Sequence, residues 1–220
     1  MKPAEYDAWY DTPRGHWIGD AEFRLLHRLL ASRRPETLLD VGCGTGWFSR
    51  RFADAGFAVT GVDVDEESLA WARARGGARV EYRIGDARQL PFEDKSFDCV
   101  ASIAALCFVD DWPRAIREIA RVCRRRFVLG LLHRHGLLWR EKGRGDSGSS
   151  YAGAHWRTRA EIEATLHALP VRDVKFRYAV FDPAASILAR VLERIVPSRV
   201  PLGSFLAVAA NLVDEPRQSA

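Results

Sequence analysis

The amino-acid sequence predicts an α/β fold, a doubly wound and mostly parallel sheet with helices on both faces, on three observations. Short apolar runs alternate with helix-length segments from Thr37 onward, the first run ends in a glycine-rich turn, and the first three runs each end on a carboxylate. Strands buried on both faces and separated by helices of this length form a parallel sheet covered on both sides.

Taken in order, YDAWYDTPRGHWIGDAEFRLLHRLL reads as a loop rich in Tyr and Trp that turns helical, with Phe23, Leu26, Leu29 and Leu30 at helical spacing. TLLDVG is a short buried strand, and a helix opens near Gly46. FAVTGVD is a second strand, followed by a helix that Asp65 can cap. RVEYRIGD and FDCVASIAAL are the third and fourth strands. The next helix carries Trp112, Ile116, Ile119 and Cys123 on one face and leads into RRFVLGLL, the fifth strand. Beyond Leu132 the rhythm changes. EKGRGDSGSS is small, polar and glycine-rich, and reads as a mobile loop. A helix over residues 159–169 precedes the strand VRDVKFRYAVF. An amphipathic helix then carries Ile187, Leu188, Val191, Leu192 and Ile195, and GSFLAVAANLV is the closing strand. The apolar stripe at 187–195 is assigned to core or lid, with peripheral membrane contact as the lesser reading that Arg190, Arg194 and Arg199 keep open.

A chain of 220 residues with 47% apolar content suits one domain with a sizeable core, so 1–220 is read as a single unit. The net charge of +4 comes from arginines scattered along the chain, which argues against a nucleic-acid partner. The tightest run, Arg124-Arg125-Arg126, follows an apolar helical pattern and reads as favourable charge at a helix C-terminus. Cys43, Cys99, Cys107 and Cys123 form no CxxC pair, which argues against a disulfide framework or zinc site and suggests a reducing compartment. His133-Arg134-His135 has no carboxylate or cysteine at ligand spacing, so no metal is expected. The opening Met1-Lys2-Pro3 runs straight into charged and aromatic residues, without a signal peptide. No stretch reaches the roughly 18 apolar residues of a membrane span, so the expected location is cytoplasmic.

The chemistry concentrates in LLDVGCGTGWFSRRFA. Gly42, Gly44 and Gly46 fall where a strand ends and a helix begins, a place where a ligand can approach the backbone and meet free N–H groups. A phosphate-binding P-loop would need Gly-Lys-Ser/Thr, and this turn has no lysine. A dinucleotide site would need a third glycine where Trp47 stands. The remaining class binds an adenosyl group without phosphates. It requires an acidic residue before the glycines, here Asp40, and a second at the end of the next strand to hold ribose hydroxyls, here Asp63. Asp86 in GDARQLPF is placed to accept from an adenine amino group. Three carboxylates at consecutive strand ends suit a cationic sulfonium better than a pyrophosphate. Against these roles stand plainer ones: a capping or solvated carboxylate for Asp63, an Asx-turn for Asp86, and a small turn-filling residue for Cys43.

LLDVGCGTGWFSRRFADAGFAVTGVDVDEESLAWARA, followed by GDARQLPFEDKSFDCVASIAAL, resembles the class I S-adenosylmethionine-dependent methyltransferases, in the group that includes the ubiquinone and menaquinone biosynthesis enzymes. The resemblance covers residues 6–132 and, weakly, the closing strand. It implies a Rossmann-like sheet of about seven strands with the last antiparallel, S-adenosyl-L-methionine as cofactor, and S-adenosyl-L-homocysteine as product. It also implies that Asp40 orients the turn beside the methionine amino group, with Gly42, Cys43 and Gly44 around the methionine part and Gly46 counted with them as cofactor-binding. Asp63 would hold the ribose, Asp86 with Ala87 the adenine, and the Ile103 carbonyl the ammonium, with Val64 a further cofactor-binding residue. Residues 1–30 would form a lid in which Tyr10 closes over the cofactor, 36–132 the cofactor core, 133–200 a variable acceptor side, and 201–213 the closing strand.

The chain departs from its relatives in having Leu106-Cys107-Phe108 where a polar residue often follows the fourth strand, and Cys123-Arg124-Arg125-Arg126 in place of the usual Lys-Pro-Gly-Gly. No catalytic residue is therefore assigned. The expected reaction is in-line displacement at the methyl by a small-molecule acceptor, apolar in its pocket, with Tyr10, Trp17, Cys107, His133, Tyr151 and His155 as acceptor-side candidates. For His133, His135 and His155 an ordinary loop histidine is the plainer reading. A cofactor-binding sensor or partner subunit without turnover, and a nicotinamide-dependent oxidoreductase, are the alternatives.

Overall fold

The computed structural model describes residues 2–30, 35–76, 79–143 and 151–213. Helices α1 (Pro3–Asp11) and α2 (Pro13–Leu30) precede strand β1 (Thr37–Val41). Then come α3 (Trp47–Asp54), β2 (Ala58–Asp63), α4 (Glu66–Gly76), β3 (Val80–Ile84) and β4 (Phe97–Ile103). After them follow α5 (Trp112–Val122), β5 (Cys123–Leu132), α6 (Leu137–Lys142) and α7 (Arg159–Leu166). The last elements are β6 (Val171–Ala179), α8 (Ile187–Ile195) and β7 (Phe205–Leu212).

The seven strands form one sheet in the order β3-β2-β1-β4-β5-β7-β6. β3 through β5 pair in parallel, whereas β7 runs antiparallel to both of its neighbours. The late reversal expected for this fold is therefore present. The sheet grows in opposite directions from β1 and β4, so a crevice opens beyond the C-terminal ends of these two strands.

Successive strand residues face opposite layers, as Leu38 and Leu39 illustrate. Leu39, Val100, Phe127 and Leu129 pack with Ile116 and Ile119 of α5 on one face. Leu38, Cys99, Ala101 and Val128 pack with Leu26 and Leu30 of α2 and Phe52 of α3 on the other. Local chemistry sets the helix starts. Asp65 accepts the Glu67 N–H at 3.2 Å, as its capping role requires. Asp111 likewise accepts from the Arg114 N–H at 3.2 Å, and Thr158 and Glu161 form a reciprocal capping box on α7.

The structure corrects four sequence expectations. The aromatic N-terminal segment is helix α1 rather than a loop: Tyr6 and Tyr10 lie one turn apart and Tyr10 is buried, so tertiary packing offsets a weak periodic signal. The chain breaks at Thr12, held extended before Pro13, and α2 starts at that proline. Arg124-Arg125-Arg126 is not helical: α5 ends at Val122 and the run opens β5, with Arg125 and Arg126 paired to Glu36 and Arg124 to Asp98. The α7 helix ends at Leu166, short of 169. Of the polar loop at 141–150, residues 144–150 lie outside the described residues.

The fourth correction concerns α8, and it removes the core half of the core-or-lid assignment. Its apolar stripe faces outward, with Ile187 84% and Ile195 67% exposed, Leu188 and Val191 exposed as well, and Ala189 fully buried. Helical spacing shows that these residues share a face but not which way that face points. Ile187→Ser and Ile195→Ser are therefore expected to change unfolding free energy by no more than about 0.5 kcal/mol. Ala189→Leu, forced into a filled site, should destabilise by about 1–3 kcal/mol in the same urea titration. A large loss from the isoleucine variants would show that the stripe is covered. Among the described residues no helix is long and apolar enough to cross a membrane.

Candidate functional site

The crevice at the switch point holds a cavity of about 790 Å³. Tyr10, Asp40, Gly42, Cys43, Gly44, Asp63, Val64, Asp86, Ala87 and Ile103 all line it. Gly46 does not. It is the first residue before α3, with φ of +75°, and a Cβ there would overlap the Tyr82 hydroxyl, so its part is to let the turn close.

The turn is built from backbone. Gly42 and Cys43 donate to the Val62 carbonyl at 2.7 and 3.1 Å, and the Gly46 N–H reaches the Cys43 carbonyl at 2.9 Å. Gly42 has φ of +73°, and a side chain on it would collide with Ala105 on the far wall. Asp63 fastens the turn to β2. One carboxylate oxygen accepts the Gly44 N–H at 2.7 Å and the other the Asp65 N–H at 3.0 Å. On the opposite wall Ala104 adopts φ of +58° and donates to the Gly130 carbonyl at 2.8 Å. A non-glycine residue in that region stores strain, which here aims the Ile103 end of β4 at the cavity.

Asp40 lies beneath the turn, 1% exposed, and accepts the Ser49 hydroxyl at 2.6 Å. Burial pushes its carboxyl up to about 7, against the lowering effect of Ser49, and the charge of Asp63 adds to the rise. Asp86 is more exposed. Arg88 forks it, with Nη2 at 2.6 Å and Nε at 3.0 Å, and this guanidinium holds the carboxyl below its ordinary range. The Asx-turn reading of Asp86 also has its hydrogen bond, since the Arg88 N–H donates to Asp86 at 2.8 Å.

Over the cavity, Tyr10 stacks on Trp47 with ring centroids 4.3 Å apart, and its hydroxyl meets that of Tyr6 at 3.1 Å. The sequence reading used Trp47 only to exclude a dinucleotide site and passed over Tyr6. The signal was there in an aromatic residue opening the helix after the turn and a second tyrosine one turn before Tyr10. It also missed Thr45, whose buried hydroxyl oxygen has no hydrogen-bond partner among the described residues and belongs to a residue that lines the cavity.

The acceptor-side candidates divide. Trp17 and Cys107 are buried away from the cavity, the Cys107 sulfur accepting the Leu132 N–H at 3.3 Å. His133 is 1% exposed; its Nδ1–H donates to the Gly203 carbonyl at 2.8 Å, and burial holds its pKa down, as suits a structural histidine. His155 lies at the rim, its Nε2 3.2 Å from Asp110, a cavity residue. Tyr151 is half-buried nearby. Among the described residues no group of His, Cys, Asp and Glu could hold a metal ion.

The observed lining fits a sulfonium nucleoside. The open space above Gly44, the unpartnered Thr45 hydroxyl and the two carboxylates at adjacent strand ends offer room, a polar partner and negative charge. The comparisons agree. A family model described as "Methyltransferase domain" matches residues 39–129. An uncharacterized protein of Mycobacterium tuberculosis is 33% identical over 215 residues, covering 94% of this chain and 71% of that protein. The malonyl-[acyl-carrier protein] O-methyltransferase of Erwinia pyrifoliae is 44% identical over 98 residues, covering 43% of this chain and 37% of that enzyme, so the match spans little more than a third of that relative. The solved structure of a Thermotoga maritima S-adenosylmethionine-dependent methyltransferase, described as a possible histamine N-methyltransferase, superposes with a TM-score of 0.76 at 22% identity, covering 96% of each chain. The chain belongs to the class I S-adenosylmethionine-dependent methyltransferases. S-adenosyl-L-methionine is the cofactor of this family.

Proposed function

We propose that this protein transfers a methyl group from S-adenosyl-L-methionine to a small-molecule acceptor, and that the residues lining the switch-point cavity bind the cofactor. The observation that carries this reading is the Asp63–Gly44 bond, which brings an acidic strand end and the glycine turn together where the two halves of the sheet diverge. When bound, the cofactor supplies an electrophilic methyl on a sulfonium, already a good leaving group. The chain's task is then mostly to position and to exclude water. Asp63 would hold the ribose hydroxyls, with Val64 lining the same strand end. Asp40 and the Ile103 carbonyl would hold the ammonium, and Asp86 with Ala87 the adenine. Residues 1–30 act as a lid through the Tyr10–Trp47 stack, and residues 133–200 shape the acceptor side.

Calorimetry with S-adenosylmethionine, S-adenosylhomocysteine and NADH tests the reading. Binding of both sulfur ligands supports it, binding without turnover on any acceptor favours a sensor or partner subunit, and a response to NADH alone overturns it.

Asp40 makes the binding pH-dependent. Its carboxyl titrates near 7 in the fold and near 4 in the unfolded chain, so the native state holds the extra proton in that window. Its contribution to stability is complete at low pH and fades as pH rises from about 4 through 7. The cationic ligand prefers the ionised form, so affinity moves the opposite way. Cofactor affinity is expected to rise up to about tenfold from pH 6 to pH 8, with a flat profile in Asp40→Asn. An unchanged slope in the variant would assign the titration to another group.

A further inference from the structure

Helix α2 packs one face into the core, and Glu22 sits in the middle of it. Ile18, Gly19, Leu25 and Leu26, one turn either side, are all buried. Position 19 lies directly against the Tyr10–Trp47 stack: a Cβ there would meet the Trp47 ring at 2.7 Å and the Tyr10 ring at 3.0 Å. Glu22 therefore projects one helical turn from the aromatic roof of the cavity. Its charge acts on Tyr6 and Tyr10 of α1, on Tyr151 before α7, and on Cys107 after β4, which places it where these elements converge.

No hydrogen-bond or ion-pair partner of Glu22 occurs among the described residues, although it is only partly accessible. The charged group facing it from α8 is a second carboxylate, Glu193, whose own positive neighbours are Arg24 and Arg28. Arg14 acts on Tyr151, with its Nε donating to the Pro183 carbonyl at 2.8 Å. Burial and Glu193 push the Glu22 carboxyl up to about 8. A desolvated carboxyl without a partner stays protonated near neutral pH and ionises when a cation arrives to pair with it.

We propose that Glu22, with Tyr6, Tyr10 and Tyr151 around it, forms the acceptor subsite and takes an aliphatic amine that arrives as its ammonium. The inference rests on the methyl-transfer reading of the adjoining cavity and names its substrate class. The carboxylate pairs with the ammonium, while Tyr10, held in its stack on Trp47, backs the subsite and Tyr6 and Tyr151 flank it. One N–H proton passes to a Glu22 oxygen, and the electron pair of that bond stays on nitrogen as the lone pair a nucleophile needs. Glu22 leaves little trace in the sequence, because a single acid within an apolar helical pattern reads as surface.

The test is calorimetry on the full chain loaded with S-adenosylhomocysteine, at pH 7 in buffers of different ionisation enthalpy. The probes are n-butylamine, phenethylamine and tryptamine, with 3-phenylpropionate and 4-ethylphenol as acid and phenol counterparts. At least one amine should bind with release of up to one proton, since a largely protonated Glu22 must ionise to pair. Glu22→Gln should lose at least tenfold in amine affinity together with the proton release, while keeping its S-adenosylhomocysteine affinity within twofold. Equal or tighter binding of the acid or the phenol, no amine binding, or an unchanged amine response in Glu22→Gln would overturn the proposal. Failure of the first loading step would instead strike the cofactor reading, so the two failures are distinct.

Discussion

Asp63→Ala is expected to weaken S-adenosylhomocysteine binding at least 100-fold, about 2.7 kcal/mol, while leaving the protein folded. Two losses add. The carboxylate accepts the Gly44 N–H at 2.7 Å, so its removal frees a turn whose shape depends on that bond. It also stands where the ribose hydroxyls would be held, and a charged acceptor there contributes about 1.5–3 kcal/mol per hydrogen bond lost. Asp63→Asn keeps one acceptor oxygen for Gly44 and should lose only about tenfold, an intermediate effect that separates turn geometry from charge. Calorimetry gives the affinities, and the thermal midpoint shows that the variants fold. An affinity within threefold of the parent in Asp63→Ala would remove this residue from the site.

The same turn shows why the cofactor half was legible in the chain. Strands with both faces buried read as continuous apolar runs, and the βα turn must carry glycine wherever a side chain would collide, as at Gly42 against Ala105 and Gly46 against Tyr82. Those constraints are local in sequence, so Asp40, the glycines and Asp63 fall at fixed spacings. What was not legible depends on distant partners. The α1 helix takes its order from aromatic packing on Trp47 and Phe48, residues that lie some forty positions away. The outward turn of α8 depends on which of its faces meets the rest of the fold, and spacing within the helix carries no record of that. His133 reads in the sequence as an acceptor-side candidate because histidine chemistry is generic, and only its bond to Gly203 marks it as structural. Asp86 lines the cavity, yet its fork with Arg88, two residues on, leaves any adenine contact to share a carboxylate already engaged.

The arginine run is the other case, and it carries the largest expected effect on stability. Glu36 lies just before β1, 4% exposed, and its two oxygens accept from Arg125 Nη1 at 2.7 Å and Arg126 Nη2 at 2.5 Å. The Cys99 thiol of β4 lies 3.5 Å from the same carboxylate, so one side chain ties the starts of β1, β4 and β5 together. Arg126 is itself largely buried and Arg125 more exposed, so most of the effect belongs to the first pair. Removing one partner of such a pair leaves a buried charge uncompensated. Glu36→Ala is expected to cost about 3–5 kcal/mol, lowering the thermal midpoint by on the order of 10 °C. Pairing Glu36→Leu with Arg126→Met should recover much of that loss, because replacing both charges by apolar groups removes the desolvation penalty as well as the attraction. The cluster sits at the strand starts, opposite the cavity, so cofactor affinity of the folded variants should stay within twofold. A loss below 1 kcal/mol in Glu36→Ala, measured by urea unfolding, would mean that water reaches the guanidinium groups. The run would then be ordinary surface charge rather than a clamp across three strands.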